Sequence, residues 1–279
     1  MRLSLNVALA VLGAVLLPFA VGAFYAREQV VDTQVFPERA LTALDEPAVR
    51  TALEHEIVFA LQDRFGARAV AAVEDMLRPS IEAVVASDEF RRVFAVAVME
   101  ARLRFLVREQ NDATVDLSAA APILKNELRT EAPGLARRLP SRLRVELNLL
   151  RRDDTPGGSL ITNADVRLLG VLLPLLCMAA FAGSLATGRP RARALIVIGM
   201  AVAVSAVGLG LGLALGKGLA LDRLEGQGRL PEAELRRAGG AVFDVFVNDL
   251  YLWALGLGVA GVVLVGAGWA LGRWRSGQY

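Results

Sequence analysis

Residues 168 to 187 read LLGVLLPLLCMAAFAGSLAT, residues 188 to 193 read GRPRAR, and residues 194 to 215 read ALIVIGMAVAVSAVGLGLGLAL. At about 1.5 Å per residue, runs of this length cross a hydrocarbon core about 30 Å thick, so the stretch reads as a transmembrane hairpin. Its turn carries Arg189, Arg191 and Arg193 and no acid. Cytoplasmic loops are the ones enriched in Lys and Arg, so the turn is expected inside, which fixes the side of every other segment.

Working outward, Leu3 to Phe24 is uncharged after Met1 and Arg2 and suits a first span ending near residue 24. A cleaved signal peptide is the competing reading, because Val21-Gly22-Ala23 has the small residues of a cleavage site and Pro18 stands just before it. On either reading the segment after residue 24 is exported. Residues 25 to 167 form a polar segment long enough for one domain, and residues 216 to 249 form a second exported segment, polar at first and amphipathic from Pro231. Residues 250 to 272 are the last span, and 273 to 279 a cytoplasmic tail. The inside segments hold Arg2, the three turn arginines, Arg273 and Arg275, whereas all 29 Asp and Glu fall in the two exported segments. This asymmetry predicts a four-span protein of the cell membrane with both termini cytoplasmic.

The composition agrees with a mixed protein. Hydrophobic residues make up 54% of the 279 and charged residues 22%, with a mean hydropathy of +0.46. A net charge of +2 with interspersed signs does not point to nucleic acid. Lys occurs only at 125 and 217, an arginine bias that reads as a high-GC genome. The one cysteine, Cys177, lies in a span and can form no intrachain disulfide.

Within residues 25 to 167 the periodicity is mainly helical. Asp45-Glu46-Pro47 looks like a helix start, followed by Val49, Leu53, Ile57 and Ala60 at helical spacing. A helix from about Ala67 puts Val70, Val73, Leu77, Ile81 and Val84 on one face, with a kink expected at Pro79. Ser87 is a candidate cap for a third, with Phe90, Phe94, Ala97, Ala101 and Phe105 as its stripe. Arg142 to Leu149 alternates like a half-buried strand, expected to pair with 114 to 117 or with 159 to 162. The fold class expected is therefore mainly α, four membrane helices with an exported helical domain carrying a small β element.

The candidate sites are few. Gly256 to Gly261 spells GxGxxG, but inside an apolar run with no strand before it, so the glycines read as packing surfaces with Gly208, Gly212, Gly216, Gly268 and Gly272. Such surfaces would support a homo-oligomer. His55, the only histidine, falls off the apolar stripe and reads as solvated, and no zinc-ligand set, HExxH or P-loop is present. The span interiors lack ionisable residues, which argues against an ion pathway through one copy. Arg137, Arg138, Arg142 and Arg144 read as a solvated basic face. Asp244, Asn248 and Tyr251, spaced four and three apart, form a polar stripe where the chain approaches the outer surface. Two readings stand for it: an interfacial face turned to water, or a contact for a protein or lipid partner. No cofactor and no metal site is expected.

Val35-Phe36-Pro37-Glu38-Arg39-Ala40, Asp45 to Arg50 and Val115-Asp116-Leu117-Ser118 give the chain a resemblance to uncharacterised four-span integral membrane proteins of high-GC Gram-positive bacteria. The resemblance implies one N-terminal span, an exported helical domain and three C-terminal spans, and no activity. The sequence therefore supports an envelope protein whose exported domain binds a protein, lipid or cell-wall partner. An accessory subunit of a transporter or secretion complex, and a membrane enzyme acting on lipid, are the alternatives.

Overall fold

A computed structural model describes residues 5–31, 35–107, 112–116, 118–131, 137, 146–151, 163–188, 191–224 and 230–276. These are almost entirely helical: α1 (Leu5–Val31), α2 (Val35–Asp45), α3 (Pro47–Phe65), α4 (Ala67–Ala71), α5 (Glu74–Ala86), α6 (Asp88–Val107), α7 (Ala121–Glu131), α8 (Asn163–Thr187), α9 (Arg191–Leu224) and α10 (Glu232–Ser276). Asp112–Asp116 (β1) pairs antiparallel with Glu146–Arg151 (β2), with Val115 opposite Leu147. Residues 142 to 145 and 159 to 162, which entered the expected strand pairings, lie outside the described residues, as does the side chain of Phe105. The chain divides into two compact units. One holds Met1–Val31, Ser159–Gly218 and Val247–Tyr279; the other holds Asp32–Gly158 and Leu219–Phe246.

The apolar unit contains four helices long and apolar enough to cross a membrane, in α1, α8, α9 and α10. In hydrocarbon a helix satisfies its own backbone, so association rests on close packing and on side chains that reach a neighbour's carbonyls. α1 receives three such donors. Ser184 Oγ of α8 donates to the Asn6 carbonyl at 2.8 Å, and Cys177 Sγ reaches the Gly13 carbonyl at 3.4 Å. From α9, Ser205 Oγ lies 2.6 Å from the Ala14 carbonyl and 2.8 Å from Ala201 of its own helix, so its one proton serves either. Gly13 meets the Phe181 ring, and Gly170 meets Ala23 and Arg27, so α1 and α8 run antiparallel. Ala10 is fully buried in a cluster with Ile198 and Val202 of α9.

α9 and α10 approach backbone to backbone. A Cβ on Gly199 would come within 2.7 Å of the Gly261 carbonyl, and one on Gly268 within 2.8 Å of the Ala192 carbonyl. Part of the expected glycine surface is used within the chain. Gly261 and Gly268 do pack, with Gly199 as the partner that the sequence reading omits. Around Gly208, Gly212, Gly216, Gly256 and Gly272, by contrast, an added Cβ would meet nothing within 4 Å among the described residues. Only the glycines at the α9–α10 crossing are needed for that contact.

Both helices also outrun the spans drawn from hydropathy. α9 has 34 residues and α10 has 45, about 51 and 68 Å at 1.5 Å per residue against a core of about 30 Å. The segment expected to be polar after residue 216 continues α9 to Leu224, and the amphipathic stretch from Pro231 and the last span form one unbroken helix. Lys217 and Asp222 end the apolar run, but neither breaks a helix.

The polar unit has its own core, with Leu44, Leu53, Ile57, Leu61, Val70, Leu77, Ile81, Val84, Phe90 and Leu124 among its buried side chains and Ala241 of α10 packed against it. Val49, Leu53 and Ile57 of the first expected stripe are buried and Ala60 is partly buried. The helix expected to run from Ala67 through Val84 is interrupted at Ala72 and Val73, where Glu74 and Asp75 place acids at the positive end of a new helix; Pro79 lies inside α5. Gly66 adopts φ +89°, which L side chains rarely adopt, and separates α3 from α4. Ser87 caps α6, its Oγ accepting from the Phe90 amide at 3.2 Å. α2 has no counterpart in the sequence reading. Pro37 sits in its first turn, where a missing amide costs no helical bond, and Ala40, Ala43 and Leu44 are its buried face.

Two substitutions on the same face type separate packing glycines from open ones. Gly199→Leu forces α9 off α10 and is expected to cost about 1–3 kcal/mol or more by overpacking, read as a lower unfolding midpoint in detergent. Gly212→Leu should leave the midpoint unchanged.

Candidate functional site

The polar side chains that the fold brings together from distant sequence lie in the polar unit, where α10 meets α3 and α2. His55, midway along α3, puts Nδ1 2.6 Å from Glu234 Oε1, across 179 residues of sequence. Both side chains are largely withdrawn from solvent, with exposures of 29% and 17%. The third residue of α10 is Glu234, where unpaired helix amides favour a carboxylate. His55 is therefore half-buried and paired, not solvated. Its position two residues after Leu53 places it beside the apolar stripe, and the segment that covers it comes from the other end of the chain.

Glu54, the preceding residue, is pushed above the usual carboxylate range, first by burial and then by Glu82 of α5, while His55, Arg78 and Arg50 pull it down. A raised carboxyl is favoured in the folded state when protonated, so its contribution to stability declines as pH rises through that range. Asp45 behaves oppositely. Arg91 and Arg50 donate to it, and the Arg91 hydrogen bond, the largest cause, holds it below the usual range. Its contribution is present above the ordinary carboxylate range and is lost as pH falls through the folded value.

At the other end of the same segment, Arg39 Nη1 donates to the Phe246 carbonyl at 2.9 Å, and the Phe36 and Phe246 rings lie 5.3 Å apart. Arg102, buried in α6, stands over the Phe36 ring at 5.6 Å, a cation–π distance. The sequence-predicted stripe falls on the same helix. Asp244 and Asn248 are exposed and Tyr251 is 36% exposed. Asp244 lies ten residues beyond Glu234, about 15 Å along the helix, so the structure does not bring the stripe to the His55 pair.

Chemically, the His55–Glu234 arrangement can share and hold a proton and can tie α10 to α3. Among the described residues no group of three His, Cys, Asp or Glu side chains is placed to hold a metal ion. The basic face at Arg138, Arg142 and Arg144 lies outside the described residues. The chain matches no protein-family model, no curated protein and no solved structure.

A double-mutant cycle measures the pair. His55→Ala and Glu234→Ala are each expected to cost about 1–2 kcal/mol of stability, read by thermal unfolding. The double variant should cost less than the sum, because each single change already removes the shared contact.

Proposed function

We propose that the chain is a multi-pass protein of the cell membrane with both termini cytoplasmic, whose exported helical unit binds a partner outside the cytoplasm. The observation that carries this reading is the division of the fold into an apolar four-helix unit and a polar unit with a core of its own. The charge distribution supports this orientation, since no Asp or Glu occurs in residues 1 to 24, 168 to 215 or 250 to 279. The donors to Asn6, Gly13 and Ala14 support a structural role for α1 as a span of the bundle. The resemblance to uncharacterised four-span integral membrane proteins of high-GC Gram-positive bacteria is consistent with this arrangement.

The partner is expected at the stripe of Asp244, Asn248 and Tyr251, on the helix that leaves the exported unit for the last span. A second reading, an accessory subunit within a larger membrane complex, is favoured by the open surface at Gly208, Gly212 and Gly216 of α9, where another span could pack closely.

Topology is tested by thiol labelling of the full chain carrying Cys177→Ala. Cysteines at Arg191 and Ser276 should be protected from an impermeant reagent in intact cells, and cysteines at Asp112 and Gln227 should be labelled; labelling at Arg191 overturns the orientation. Binding is tested by copurification in mild detergent with protein and lipid mass spectrometry. Asp244→Ala with Asn248→Ala should lose a copurifying species at unchanged abundance, whereas retention of every species means that the stripe only faces water.

A further inference from the structure

We propose that the end of the apolar unit where α9 begins and α10 ends is a docking surface for the headgroup of an anionic phospholipid. Close approaches fix which side chains meet there. Gly268 of α10 lies against the Ala192 carbonyl and the Ile196 side chain of α9, and Gly188, just after α8, lies against Ala194 of α9 and Asn6 of α1. Arg193 and Trp269 are each one residue, about 1.5 Å along the axis, from the Ala192–Gly268 contact. Arg193, Trp269 and Trp274 are all exposed. Arg273 stands over the Trp269 ring at 4.3 Å, a cation–π distance, so guanidinium groups of two adjacent helices flank one aromatic face.

The side-chain charge at this end has one sign. α9 carries no acid before Asp222 and α10 none after Asp249, which stand about 44 Å from Arg193 and about 36 Å from Arg273 along their helices. Likewise α1 has none before Glu28 and α8 none after Asp165. The sequence adds Arg189, Arg191 and Arg275 within four residues of Arg193 or Arg273. An acid-free cluster at the edge of hydrocarbon is complementary to an anion that sits at the same edge, which is where a lipid phosphate lies, and basic pockets between membrane helices bind such headgroups. Arginine suits the task, because its planar fork pairs two donors with phosphate oxygens. Tryptophan belongs at headgroup level. The depth agrees as well. Trp253, whose ring meets Phe24 at 6.4 Å, lies 20 residues before Arg273, about 30 Å and so one hydrocarbon thickness. Val262 and Val263, exposed on α10 within that thickness, offer an apolar face to acyl chains, for which a soluble phosphate has no use.

The proposal rests on the four helices spanning a bilayer, and neither on their orientation nor on the Asp244 stripe. The test uses the full chain carrying Trp253→Phe, which leaves Trp269 and Trp274 as its tryptophans. It is reconstituted into vesicles of phosphatidylcholine and phosphatidylglycerol in which one lipid at a time is brominated on an acyl chain. Bromine quenches only nearby tryptophans, so the two series report the lipid composition at this end. Phosphatidylglycerol should be enriched there about fivefold over its share of the bilayer. Arg193→Gln with Arg273→Gln should abolish the enrichment, whereas Arg64→Gln with Arg68→Gln, which removes the same charge from the polar unit, should keep it. Quenching in proportion to bulk composition overturns the proposal and leaves the spans standing. So does an enrichment that survives the change at Arg193 and Arg273, or one that the change at Arg64 and Arg68 removes equally. Quenching by neither lipid overturns the spanning reading and the proposal together.

Discussion

A backbone carbonyl in hydrocarbon has no water to bond, and the apolar unit is built on the ways in which that constraint is met. Within each span the helix satisfies its own amides and carbonyls. Between spans, the carbonyls of Asn6, Gly13 and Ala14 on α1 take second donors from Ser184, Cys177 and Ser205. Such interhelical bonds are worth only about 0.6 kcal/mol each on average. Geometry supplies the rest: the backbones at Gly199 and Gly261 stand so close that a single Cβ would strike a carbonyl. Ionisable groups are left to the helix ends, where Arg273 lies over the Trp269 ring at 4.3 Å.

The same helix that ends in this way begins in the polar unit under different physics. Residues 232 to 246 meet a water-facing core, so they are held by burial of Ala241, by the Phe36–Phe246 ring contact and by polar bonds to His55 and Arg39. One 45-residue element thus takes part in two cores. Its sequence shows the change of solvent: Glu232, Glu234, Arg236, Arg237, Asp244 and Asp249 occur before residue 250, and from there no charge occurs until Arg273. The stripe of Asp244, Asn248 and Tyr251 stands at that change.

The apolar spans are legible in the sequence because hydrocarbon thickness sets a minimum run of apolar residues, and the runs at 168 to 187 and 194 to 215 meet it unaided. Hydropathy records where lipid ends, not where a helix ends, so Lys217 and Asp222 conceal the continuation of α9 to Leu224. Stripes such as Val49, Leu53 and Ile57 are legible because burial on a helix repeats every three to four residues. α2 is not, since eleven residues with Pro37 in the first turn give too short a pattern. Which glycines pack depends on the rotation of one helix against another, so Gly212 and Gly261 look alike in sequence and differ in the fold. The His55–Glu234 pair is hidden for a stronger reason, because no local pattern announces a contact across 179 residues.

The N-terminal part of α10 belongs to the core of the polar unit. In a full chain carrying Cys177→Ala, cysteines replacing Phe36 and Phe246, whose rings lie 5.3 Å apart, test it by intramolecular cross-linking with a short bifunctional thiol reagent. Rapid cross-linking of this pair is expected, and none between Phe36→Cys and Glu232→Cys, an exposed position fourteen residues back along the same helix, about 21 Å away along its axis. Two thiols at 36 and 246 that both react freely yet never join would contradict it.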